Sequence, residues 1–347
     1  MIATRKRQTP DMAADPFGEH RRATFRERLQ VLGAEFEFAT DSRRLRRIVR
    51  EAYAGLPRHK VAHAAPHFRV TLVAAPPRRV HGSSRREPPP VRSLAGGGLL
   101  CGVMGSASFV TVAVRERAAL LVVSPHDLRH PYHIRYELLE FAVYLLAARA
   151  LRLVPLHAAC VGRAGHGVLL MGPSGSGKST VVLHCLLAGL DLLAEDSVLV
   201  RPQGLRASGV ANFLHLRRDT LRFLERADRA ALLRSSAVIR RRSGVEKLEI
   251  DLRRLRQRAS TVPLRIRAVV FISSQAAGGR PLLAPLERRL LLRRLASSQR
   301  YAARQAGWNA FRSHLARLPA YELRRGLHPR EAATAVRALL SGGHGRT

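Results

Sequence analysis

Eight consecutive residues, Gly172-Pro173-Ser174-Gly175-Ser176-Gly177-Lys178-Ser179, match the pattern G-x-x-x-x-G-K-[ST] at every fixed position. The chemistry of that pattern is phosphate binding. Its glycines let successive backbone N–H groups turn toward a polyphosphate, and a helix starting at the end of the loop adds a partial positive charge. Lys178 is placed to reach the outer phosphates and Ser179 to ligate Mg²⁺, with Thr180 following in the first helical turn. The apolar run over 167–171 reads as a buried strand leading into the loop, and 180–188 reads as a helix stopped by Gly189. An ordinary glycine-rich turn does not require strand, loop and helix in this order, so nucleotide binding is the strongest reading.

Phosphoryl transfer needs more than a held polyphosphate: its charge must be offset, and the attacking oxygen must be aligned and give up its proton. Residues 190–194 read as the next buried strand, and it ends in Glu195-Asp196 at the sheet edge where open α/β folds bind ligands. Asp196 is the first choice for general base and Glu195 for metal contact, although the two could be exchanged. His157 falls in a strand over 156–161. Gly162, Gly165 and Gly167 then supply a turn, so a hairpin is expected to set His157 beside the loop strand, where it could orient or tune a carboxylate. Taken alone, His157 reads as a core histidine and Glu195-Asp196 as a solvated turn; beside the loop, both point to function. His184, inside the loop helix among Leu183, Cys185 and Leu187, reads as structural.

Composition bounds the alternatives. A chain of 347 residues with 46% hydrophobic content has material for about two domains with real cores. The formal net charge of +35 invites a nucleic-acid reading, but only Lys6, Lys60, Lys178 and Lys247 are lysines, and the arginines spread along the whole chain. That is a compositional skew rather than a binding stripe, which argues against nucleic acid. Cys101, Cys160 and Cys185 have no C-x-x-C spacing and no even count, which fits a reduced, cytoplasmic setting without disulfides or zinc. No apolar stretch follows Arg5-Lys6-Arg7 before Glu19, so no secretory signal is expected. The most apolar segment, 141–156, is broken by Arg149 and Arg152 and is too short to span a bilayer, so no membrane association is expected.

The polar residues 1–23 are expected to be disordered, and 24–130 to form a smaller N-terminal α/β domain. Within it, Phe25, Leu29, Leu32, Leu45, Ile48 and Val49 show helical spacing, 68–73 alternates like a strand, 76–98 reads as a long mobile loop, and short strands recur at 99–103, 109–114 and 119–123. Residues 131–347 are expected to form the phosphate-loop domain. It opens on a helix over 132–153 and later has a strand at 269–272, a helix over 286–303 and a last helix over 331–340 closed by Gly342-Gly343.

The order and spacing of His157, Gly172 to Ser179 and Glu195-Asp196 resembles the HPr serine kinase/phosphorylase family, whose kinase domain has the phosphoenolpyruvate carboxykinase type of fold. The resemblance covers roughly residues 150–340, with strong motifs over 156–200. It implies a P-loop kinase that uses ATP and Mg²⁺, with a histidine before the loop, an acidic pair after it and a homo-oligomeric assembly. Glu195 stands where that family usually has aspartate, and Ser208-Gly209-Val210-Ala211-Asn212-Phe213-Leu214-His215-Leu216 lacks the glycine-rich signature of the bifunctional enzymes. The chain looks closer to the divergent HPr-kinase-related proteins, some of which phosphorylate a serine of a precursor peptide. The expectation is therefore transfer of the γ-phosphoryl group to a serine hydroxyl of a protein or peptide. The competing expectations are a nucleotide-binding or sensing module without transfer, and an ATPase associated with nucleic acid.

Overall fold

Phe25 and Leu29 lie four positions apart, a spacing that both a helix and a strand satisfy, and the chain adopts the strand. The computed structural model describes residues 23–58, 65–76, 87–105, 107–254, 259–260 and 262–341. The stretch expected to be disordered lies, apart from its last residue, outside these, as does the Gly342-Gly343 stop. In place of a helix from residue 24, β1 (Phe25–Val31) and β2 (Ala34–Thr40) form an antiparallel hairpin, turning at Leu32 (φ 55°) and Gly33 (φ 78°). The helix begins later, as α1 (Arg43–Tyr53), where the Ser42 hydroxyl accepts from the Leu45 N–H at 3.4 Å and Leu45, Ile48, Val49 and Ala52 turn inward.

Then follow β3 (His67–Ala74), β4 (Arg92–Gly96), β5 (Leu99–Met104), β6 (Ser108–Ala113) and β7 (Ala118–Val123). The seven strands form one sheet in the order β1-β2-β3-β7-β6-β5-β4, with parallel pairings only at β2–β3 and β3–β7. β4, an exposed edge strand paired to β5, lies within the span expected to be all loop; residues 77–86 of that span are outside the described residues. The chain continues as α2 (Pro131–His133), a π-helical stretch (Ile134–Leu139) and α3 (Glu140–Ala150). Ile134, Leu138, Ala142 and Leu146 of this stretch bury in the core of the first sheet.

The second half begins with β8 (Val154–His157), β9 (Ala159–Arg163), β10 (His166–Met171), α4 (Lys178–Leu187), β11 (Asp191–Ala194), β12 (Ser197–Arg201) and β13 (Arg206–Gly209). Next come β14 (Phe213–Leu216), α5 (Arg226–Arg234), β15 (Ser236–Arg240) and β16 (Glu246–Asp251), whose strands make a separate sheet ordered β14-β16-β15. The remainder is β17 (Leu264–Ala276), β18 (Leu283–Pro285), α6 (Arg288–Ser298), α7 (Trp308–Leu315), β19 (Ala320–Arg325) and α8 (Pro329–Ser341). α6 is shorter than the helix expected over 286–303: it stops at Gln299, and a 3₁₀ turn at Ala302–Arg304 follows. The main sheet runs β11-β9-β10-β17-β13-β12-β8, with β19 beside β17 and β18 on β19.

Strand alternation divides the central strand β10 between two cores. Val168 and Leu170 face the layer of α4 and α8, whereas Leu169 and Met171 face the layer of α6 and α7. A strand covered on both faces must be apolar throughout, which accounts for the unbroken run before the loop. Among the described residues no helix is long and apolar enough to cross a membrane.

Candidate active site

β10 and β11 are both antiparallel to β9, so they run in the same direction and deliver their following residues to one end of the sheet. The phosphate-binding loop leaves from β10 and Glu195-Asp196 from β11. Gly172 turns the chain out of β10 at φ 150°, and a Cβ there would meet the Ile272 carbonyl oxygen and the Ser176 hydroxyl, each at 2.8 Å. Only glycine fits that close approach. Pro173, Ser174 and Gly175 are exposed, and a side chain at Gly175 or Gly177 would meet nothing within 4 Å, so open space stands over the loop. The Ser176 hydroxyl is buried without a partner. Gly177, in the left-handed region, starts α4.

Lys178 is buried and donates to the carbonyls of Gly172 at 2.6 Å and Pro173 at 3.2 Å, holding the loop around its own ammonium. Burial lowers its pKa, and the charges of Asp196 and Glu195 act in the opposite sense. One residue on, the Ser179 hydroxyl donates to Glu195 Oε1 at 2.5 Å. The Thr180 hydroxyl, in the first turn of α4, meets the Thr220 hydroxyl at 3.2 Å.

The acidic pair sits in an interruption of one long ladder. Ala194 faces Cys160 and Ser197 faces His157 in the same register, so β9–β11 and β8–β12 are two parts of a single antiparallel pairing, with Glu195 and Asp196 in the gap between them. Gly209 makes this gap tight: a Cβ there would come within 2.5 Å of the Ala194 Cβ and 2.7 Å of the Leu193 carbonyl oxygen. The two acids are treated differently. Glu195 is 8% exposed, while the Asp196 side chain is 44% exposed.

His157 is not on the hairpin that the sequence suggests. The apolar run breaks at Ala158: β9 forms the hairpin with β10, and β8, which carries His157, pairs with β12. The matching of β10 to β9 ends at Leu170 opposite Ala159, where Gly172 is about to turn away into the loop, so among the described residues no strand pairs with that side of His157. The Gln299 side chain takes the place of the missing strand, accepting from the His157 N–H at 2.8 Å and donating to its C=O at 3.0 Å. The result still places His157 at the acids, its Nδ1 3.2 Å from Asp196 Oδ1.

Behind Glu195 lies a buried network that the motifs did not indicate. His215 of β14 contacts Glu195 Oε2 through Nδ1 at 3.1 Å; its Nε2 lies 3.2 Å from Glu249 Oε1 on β16 and 2.9 Å from the Tyr136 hydroxyl. Arg135 closes the far side, donating to Glu249 and stacking 4.2 Å over the Phe213 ring. Burial alone would push the carboxyls of Glu195 and Glu249 up, but hydrogen bonds from His215, helped by Ser179 at Glu195 and by Arg135 at Glu249, hold both below the usual range. Burial likewise opposes charge on His215, yet the two carboxylates outweigh it and raise its pKa. The network keeps Glu195 ionised inside the protein. A lone histidine within the apolar run Phe213-Leu214-His215-Leu216 was the one local signal of it.

Two further side chains lie outside this network. His184 is buried in α4, with both ring nitrogens unpartnered, and packs edge-on against His328. Arg242, in the basic run Arg240-Arg241-Arg242, is committed within the chain: it pairs with Glu137 at 2.7 Å through both Nε and Nη2 and donates to the carbonyls of Pro88 and Pro89.

The donor set fits a polyphosphate with a hard divalent cation. It offers an unpartnered buried hydroxyl and open space over the loop, a lysine at its base, and the adjacent oxygens of Ser179 and Glu195, the ligand type that Mg²⁺ takes.

No family model and no curated protein matches this chain. Among solved structures, the Hpr(Ser) kinase/phosphatase from Coxiella burnetii is similar at probability 1.00, with 16% identity over 55% of this chain and 99% of that chain and a TM-score of 0.30. So loose a superposition carries no argument about the site, which stands on its own geometry.

Proposed function

We propose that this chain is an ATP-using, Mg²⁺-dependent phosphotransferase that moves the γ-phosphoryl group to a serine hydroxyl of a protein or peptide. The observation that carries this reading is the convergence of Lys178, Ser179, Glu195, Asp196 and His157 at one end of the sheet, with a buried carboxylate touching the loop serine and an accessible one beside it. ATP would supply the transferable group, and Mg²⁺ would offset its charge.

The chain's own residues divide the remaining work. Backbone N–H groups of the loop and Lys178 bind phosphate oxygens, and Ser179 with Glu195 offers the metal contacts. Asp196 stands open to an incoming hydroxyl. As the acceptor oxygen bonds to the γ-phosphorus, the bond to the β-bridging oxygen breaks, its electron pair leaves with ADP, and the hydroxyl proton passes to Asp196. His157 positions Asp196 through Nδ1 and can relay that proton to solvent. The choice of serine follows the motif resemblance to the HPr-kinase-related proteins, and the free thiols Cys101, Cys160 and Cys185 support a reducing, cytoplasmic setting.

Calorimetry with Mg·ATP tests the foundation of this reading. The wild-type protein binds, and Lys178→Ala loses most of the affinity while its thermal unfolding remains cooperative. Equal affinity in the two proteins would remove the loop from the mechanism.

A further inference from the structure

Of the 60 basic residues, four are lysines, and every other one is arginine. A chain so biased does not need lysine for solvation or surface pairing, where arginine serves as well. Lysine is retained where a compact ammonium on a flexible stem does what a planar guanidinium cannot. Lys6 and Lys60 are outside the described residues. Of the remaining two, Lys178 is the lysine of the loop, and Lys247 has no role in the site as described so far.

Lys247 lies on β16 two residues before Glu249, so strand alternation puts the two on the same face. That face looks toward the site, because Glu249 is paired in register with His215. Lys247 is half-buried, its backbone belongs to the β15–β16 ladder, and its side chain forms no hydrogen bond or ion pair among the described residues. Its ammonium is within electrostatic reach of Glu195 and Asp196, and it also acts on Lys178, so two lysines from different elements face one acidic pair. Arg241 and Arg217 add further positive charge around Lys247. Glu195 is already engaged by Ser179 and His215, and Asp196 by His157, which leaves positive charge in excess at this edge. Like charges are gathered this closely at a cost, and an anion between them relieves it.

We propose that Lys247 is a second phosphate-binding residue, engaging the outermost phosphate of the nucleotide from β16 while Lys178 engages it from the loop. This rests on the nucleotide-binding reading of the loop. It gives the terminal phosphate a partner of its own, so the site distinguishes a nucleoside triphosphate from a diphosphate. A lysine serving only as a structural counter-ion to Glu195 would not distinguish them.

The test is calorimetry with Mg·ATP and Mg·ADP on the full chain, comparing wild type, Lys247→Met and Lys178→Ala. Lys247→Met keeps the apolar stem and loses the charge. It should bind Mg·ATP roughly tenfold more weakly, the worth of one charge-assisted hydrogen bond, with Mg·ADP affinity unchanged. Lys178→Ala should weaken both nucleotides. If Lys247→Met does not fold, Lys247→Gln is measured in the same way and should show the same selective loss. Equal losses for the two nucleotides, or no loss, overturn the assignment of Lys247 while the loop's own binding stands. A wild-type protein that binds neither nucleotide overturns both.

Discussion

Gln299, at the C-terminal end of α6, binds both the N–H and the C=O of His157, as a neighbouring strand would. A buried side-chain amide thereby fixes the backbone of the residue whose imidazole meets Asp196. Gln299→Ala removes both bonds and should destabilise the fold by about 1–3 kcal/mol, the range for hydrogen bonds lost with a partner left unsatisfied. Gln299→Glu keeps the acceptor but sets a buried carboxylate oxygen against the His157 C=O, so at neutral pH it should destabilise at least as much as Gln299→Ala. Urea unfolding of the three proteins checks the order, and a midpoint unchanged in Gln299→Ala would refute it.

The His215 network predicts a definite pH dependence of stability. The His215 pKa is raised above its ordinary 6.5, so its contribution is complete below that value and is lost as pH rises through the folded-state pKa. The carboxyls of Glu195 and Glu249 lie below their ordinary 4.5, so theirs is present above that value and is lost as pH falls through the folded-state pKa values. The network therefore contributes most between 4.5 and 6.5. The difference in unfolding free energy between wild type and His215→Gln should be largest near about pH 5.5 and shrink toward alkaline pH. A difference that keeps growing as pH rises above 6.5 would contradict the assignment.

How much of this was visible in the sequence follows from how local each feature is. The loop, its strand and its helix are contiguous, and the two-faced burial of β10 writes itself as an unbroken apolar run. The hairpin β1–β2 is hidden because residues four apart fit both periods, and the deciding signal, a turn at Leu32-Gly33, is weaker than the spacing of the hydrophobics. The run at His157 reads as one strand because the break at Ala158 depends on where β10 stops, which the segment itself does not record. His215, Glu249 and Arg135 come from two distant strands and a helix. Each reads alone as a surface charge or a packing oddity, and only the folded chain gives them a common purpose.

Asp196→Asn separates transfer from binding. The amide keeps the shape of the acid and cannot take the proton, so the transfer rate should fall by roughly 10²–10⁴-fold with a much smaller change in nucleotide affinity. Single-turnover rates and calorimetry on the same preparation read the two effects apart. A near-normal rate would remove Asp196 as the base and leave Glu195 as the alternative.

The fate of the γ-phosphoryl group tests the account most directly. The full-length protein is incubated with γ-labelled ATP, Mg²⁺ and panels of serine-bearing peptides and carrier proteins, and label is followed into phosphoserine and into free phosphate. The account predicts phosphoserine on at least one acceptor, formed much faster than ATP is hydrolysed in its absence and lost in Lys178→Ala and Asp196→Asn. Steady release of free phosphate with every acceptor unlabelled would contradict it and make the site that of an ATPase.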